Sequence, residues 1–220
     1  MGTRGALKYW NSMASKMDIA ELYTAAFRQG RTLSDEGRTL TFSVVPIGLL
    51  SLPSGRIVAS DPLTAGHPEP FVQTVIPGRY PVELSLARDG KGAERVAMAR
   101  IKFTGRQPEV WVMALNKGQS QSELPAGGFW GYRSDSGTGA FMDANAASRA
   151  DFAYLDDIDS LLLELTANYK PYRYWLEVPL DRRHNVVMFS SGEGEGSYPS
   201  YFGIDEAGDI CALVTDFQLI

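Results

Sequence analysis

The sequence predicts an α+β fold dominated by antiparallel β-sheet, sandwich- or barrel-like, with an N-terminal helical segment and one further helix near residues 150–168. Three observations carry this expectation. Period-two alternation recurs in the middle of the chain, as in Tyr80–Ala87, where Val82, Leu84 and Leu86 oppose Glu83 and Ser85. Turn-forming clusters such as Asp89-Gly90-Lys91-Gly92 separate these segments. A 3.6-residue period is confined to the N-terminal region and to 150–168.

Taken in order, residues 5–29 read as one or two short amphipathic helices. Ile19, Leu22, Tyr23, Ala26 and Phe27 recur at helical spacing, and Gly30 supplies a stop. Leu40–Leu50 is rich in branched residues and reads as a strand, Leu52-Pro53-Ser54-Gly55 as a turn, and Arg56–Ser60 as a short strand. Asp61-Pro62 ends it, because proline lacks the N–H that a ladder needs. Tyr80–Ala87, Glu94–Phe103 and Val110–Leu115 follow as strands. The first two, joined by a glycine turn, imply an antiparallel sheet with one wet face. Phe152, Leu155, Ile158, Leu161, Leu162 and Leu165 then mark the helix, with acids crowding its front. Residues 169–180 are aromatic and extended, and 186–190 and 210–217 are strands. No repeat, low-complexity tract or linker interrupts the chain. The expected organisation is one domain over 1–220, with a helical segment to residue 35 and a β-rich body from residue 40.

Composition narrows the function classes. Among 220 residues, 44% are hydrophobic, enough for a core without disulfides. The net charge of −5 argues against nucleic acid, whose phosphates require a basic face. The lone cysteine, Cys211, reads as a small buried strand residue. Neither a leader-like apolar stretch nor a membrane-length apolar run is found, so the expectation is a cytoplasmic protein with no membrane partner.

Two glycine-rich stretches stand out as chemistry. Ser134-Asp135-Ser136-Gly137-Thr138-Gly139 contains Asp-Ser-Gly-Thr, which resembles the active-site motif of pepsin-like aspartic proteases. That chemistry needs a second Asp sharing the proton, and no second such motif occurs. The reading preferred is a loop in which Asp and Ser side chains bond their own backbone. Gly192-Glu193-Gly194-Glu195-Gly196 is too acidic to cradle phosphate. Its glutamates are of the kind that hold Mg²⁺ or Ca²⁺, but a pair of hairpin turns is preferred. Both histidines, His67 and His184, stand apart from the one cysteine, which excludes a zinc site of usual spacing. The two glycine-rich loops are expected to lie close together, and Asp143 to cap the helical region that follows it.

Several stretches read together resemble a bacterial family, domain-of-unknown-function family 4241. They are Leu52–Pro62, Pro77–Val82, Glu94–Ala97, Asp135–Asp143, Asn185–Gly192, Gly203–Asp205 and Thr215–Phe217. The likeness runs from about residue 48 to the C-terminus and departs at Glu193, where a tryptophan is expected. It implies one domain and brings no reaction, cofactor or catalytic residue.

Two function classes follow. One is a binding or interaction module, antitoxin- or immunity-like, using an acidic surface on a basic protein partner. The other is a small-molecule or metal-dependent, hydrolase-like site built from loop carboxylates. Its candidate ligand-binding residues are Asp61, Asp135, Ser136, Thr138, Asp143, Glu195, Tyr198 and Asp216. The first is preferred, because no nucleophile–base pair is visible.

Overall fold

The computed structural model describes residues 19–35, 38–64, 66–90, 92, 94–147 and 173–219. The helix expected near 150–168 lies outside them, as does the first part of the N-terminal helical segment.

The clearest alternation in the chain builds the centre of the larger sheet. Gly78–Asp89 (β4) and Glu94–Lys102 (β5) form an antiparallel hairpin. On one side β4 pairs with the long strand Arg38–Leu52 (β2), which pairs with Thr32–Asp35 (β1). On the other side β5 pairs with Ile210–Asp216 (β12), and β12 with Gly196–Ile204 (β11). The far edge of β11 takes two strands end to end: Gly131–Ser134 (β7) and Val110–Met113 (β6). A smaller antiparallel sheet holds Ile57–Ser60 (β3), Thr138–Asp143 (β8), Asn185–Ser190 (β10) and Trp175–Pro179 (β9), in the order β3-β8-β10-β9.

The core lies between the sheets. Phe141, Val187 and Phe189 of the small sheet belong to one buried cluster with Leu84, Ile101, Phe202 and Leu213 of the large one. Their chain neighbours point the other way, so Met142, Val186 and Met188 form a separate cluster with Val58 and Ala146. Every residue of β3, β8 and β10 is therefore buried, which explains their continuous apolar runs. β8 was not legible as a strand because burial on both faces leaves no alternation and the glycine-rich run that opens it reads as a loop. β1 and β7 are short and polar and were missed for the same want of pattern. The two sheets remain open and do not close into a barrel.

A third cluster covers the outer face of the large sheet. Helix α1 (Ile19–Ala26) and Phe27 lay Tyr23, Ala26 and Phe27 on Phe42, Met98 and Val214. Gly30, at φ +74°, turns the chain in the left-handed conformation where the stop was expected, and its N–H donates to the Phe42 carbonyl at 2.9 Å. Ser85 Oγ donates to the Ala26 carbonyl at 2.6 Å and ties the helix end to β4. The face of β4 and β5 expected to be wet is thus partly roofed by α1. Among the described residues, no helix is long and apolar enough to cross a membrane.

Candidate functional site

The structure brings six of the eight sequence-derived candidates together and separates the other two. Asp61 closes β3 and is completely buried. Its Oδ1 accepts from Leu63 N at 2.9 Å and Ser136 Oγ at 2.8 Å. Its Oδ2 accepts from Asp135 N at 3.0 Å, Ser136 N at 2.8 Å and Ser134 Oγ at 3.3 Å. The acceptor sites of one carboxylate are thereby filled. Asp61 is what shapes the Ser134–Thr138 turn, and Gly137 completes it at φ +72°.

The second glycine loop packs on the first. A Cβ placed on Gly137 would stand 3.3 Å from Gly194 Cα, and Ser191 N donates to the Gly137 carbonyl at 3.0 Å. The expected proximity of the two loops is thus observed. Tyr198, nearly buried, reaches back to donate to the Gly194 carbonyl at 2.8 Å. Thr138 Oγ1 and Tyr174 Oη share a 2.6 Å hydrogen bond. Asp135, Glu193 and Glu195 remain at the surface. Arg133 Nε donates to Asp135 at 2.6 Å, and the Arg95 Nε–Glu193 contact spans 3.7 Å. The Gly192–Gly196 run is a turn with positive φ at Gly192 and Gly194, as the hairpin reading anticipated.

Asp143 sits at the opposite end of β8. Its Oδ1 accepts from Asn145 N at 2.8 Å, capping the helical turn Ala144–Ala147 (α2) as expected. Its Oδ2 accepts from Ser54 N and Ser54 Oγ, fixing the turn before β3. Asp216 lies in the outer cluster, accepting from Tyr23 Oη at 3.0 Å and Gln218 N at 2.8 Å. Burial pushes its carboxyl up to about 6, against the pull of those two hydrogen bonds. His184 Nδ1 pairs with Asp181 at 2.9 Å, but its Nε2 is buried and meets no hydrogen-bonding partner. A serine relay through that nitrogen is therefore not assembled. Among the described residues, no three His, Cys, Asp or Glu side chains gather as a metal set.

A different place offers open space. Beneath the end of α1, between β5, β12 and the loop after β5, lies a cavity of about 280 Å³. Arg28, Arg100, Lys102 and Arg106 line it together with Thr24 and Thr104. The Arg100 guanidinium lies 4.0 Å over the Phe27 ring and is held by Glu83 at 2.5 Å. Lys102 Nζ stands 3.6 Å from the same carboxylate. Arg106 is gripped by Asp205 at 2.9 Å and Asp209 at 3.2 Å. Asp205 is buried; desolvation raises its pKa, but hydrogen bonds from Asp209 N, Arg106 and Ala207 N outweigh this and leave it lowered. The sequence reading missed these cations. Arg100 and Lys102, two apart on one strand, carried the legible signal, since alternate residues share a face. Arg28 and Arg106 are brought in by tertiary packing alone.

No curated protein and no solved structure matches the chain. A family model described as "Protein of unknown function (DUF4241)" matches residues 50–215, which span β3 to β12 and both glycine loops. The chain belongs to the DUF4241 family.

Proposed function

We propose that this protein is a binding module that takes a small molecule in the cavity under α1 and does not turn it over. The observation that carries the reading is the use made of the buried acids. Asp61 and Asp143 spend their oxygens on backbone N–H and hydroxyl donors, which shapes loops and leaves neither as a free base. The cavity, by contrast, is walled by side chains already held in place: Arg100 by Phe27 and Glu83, Arg106 by Asp205 and Asp209. Fixed polar groups around a concave space favour binding, since less freedom is lost when a ligand arrives.

Gly105 supplies the test. It lines the cavity, and a Cβ there would meet nothing within 4 Å, so the backbone accepts a side chain and Gly105→Trp is expected to crowd the space. A thermal-shift panel of neutral, cationic and anionic metabolites is expected to give at least one compound that raises the Tm of the wild type and not of Gly105→Trp. That compound should be recovered unchanged after incubation. Stabilisation that persists in Gly105→Trp, or consumption of the compound, overturns the reading.

A further inference from the structure

We infer that the cavity under α1 is a site for a phosphoryl group carried by a small molecule. The inference rests on the binding reading above and names the chemistry of its ligand.

Four of the lining residues are Arg or Lys and none is Asp or Glu, in a chain whose net charge is −5. The carboxylates that face these cations are Glu83, Asp205 and Asp209, which lie behind them rather than in the lining. They orient the cations and, among the described residues, leave one positive charge uncompensated. Among the described residues, no carboxylate pairs with Arg28, which is exposed at the end of α1. The Lys102–Glu83 separation of 3.6 Å is too long for a hydrogen bond, so the ammonium keeps its donors. Thr104 Oγ1 accepts from Arg106 N at 3.1 Å, which leaves its own proton to give. Guanidinium groups, an ammonium and hydroxyls around one space match the several acceptor oxygens and the negative charge of a phosphoryl group. The volume of about 280 Å³ is small for a ligand site, so it suits a compact phosphate ester better than a dinucleotide.

Isothermal titration of the full chain with inorganic phosphate, glucose 6-phosphate, AMP, glucose and succinate tests this. Glucose 6-phosphate or AMP is expected to bind, glucose not, and succinate more weakly. Arg28→Ala and Lys102→Ala should each weaken the phosphate ligand roughly tenfold, the loss expected for one charged hydrogen bond. Gly105→Trp should abolish binding while leaving the Tm of the free protein unchanged. Inorganic phosphate binding as tightly as the esters supports the site with the free ion as its ligand. Three results overturn it: no phosphoryl probe binding more tightly than about 1 mM, succinate matching the esters, or binding that survives in Gly105→Trp. A neutral compound that occupies the cavity sinks this inference and leaves the binding reading standing. Phosphate released from a bound ester does the reverse.

Discussion

Asp216 shows how one carboxyl can couple the fold to pH. Burial beside Tyr23 raises its pKa to about 6, while the same group in an unfolded chain sits near 3.8. The folded state therefore holds the proton more tightly. The stability this contributes is fully present below about pH 4 and is lost as pH rises through 6. Over that window the change amounts to at most about 3 kcal/mol. Asp216→Asn removes the titration, so the stability difference between wild type and variant should shift between pH 4 and pH 7, with the wild type losing ground. Urea titrations at the two pH values measure it, and a difference that stays constant refutes the coupling. Asp61 is the contrasting case. It was legible as the residue that ends a strand, because that rests on the neighbouring Pro62. Its grip on Ser134–Ser136 was not, because those donors lie more than seventy residues away. Asp143 as a cap was legible because its partner, Asn145, is two residues on.

At the scale of elements, the paired glycine loops are held by backbone shape. Gly192 has φ +52°, and a Cβ there would come within 2.8 Å of Phe217 Cβ and 3.0 Å of its carbonyl oxygen. Gly194 has φ +113° with open space around it. Gly192→Ala should therefore cost about 2 kcal/mol or more, from strain and collision together, and Gly194→Ala about 1–2 kcal/mol from strain alone. Glu193→Ala and Glu195→Ala, both on exposed side chains, should stay within about 0.5 kcal/mol. Thermal melts of the four variants check the order. A glutamate variant as damaging as Gly192→Ala would return the loop to the list of ligand sites. The strands were legible where alternation was clean, as in β4 and β5, or where an apolar run stood alone, as in β10 and β12. They were lost in β8, where burial on both faces removes alternation and the Asp-Ser-Gly-Thr run looks like loop.

Across the whole molecule, the N-terminal elements and the family match divide the chain unevenly. The match begins at residue 50, so α1, β1 and most of β2 precede it. Yet Tyr23, Ala26 and Phe27 are buried against Met98, Tyr201 and Val214 of the matched region. A chain starting at Arg31 should uncover this apolar face, bind a hydrophobic dye and self-associate, as size-exclusion chromatography would report. A monodisperse, dye-silent truncation would show that α1 is dispensable. The sheet order has its own implication. β12, more than a hundred residues after β5 in sequence, lies between β5 and β11. During synthesis β5 must wait for roughly a hundred residues to follow it, about 5–20 s at ribosomal speed. Throughout that wait one edge of the β4–β5 hairpin stays unpaired, an open template for the wrong strand. Protein quality during translation would then hinge on the arrival of β12, and a chain cut short before Ile210 would be unable to complete its larger sheet.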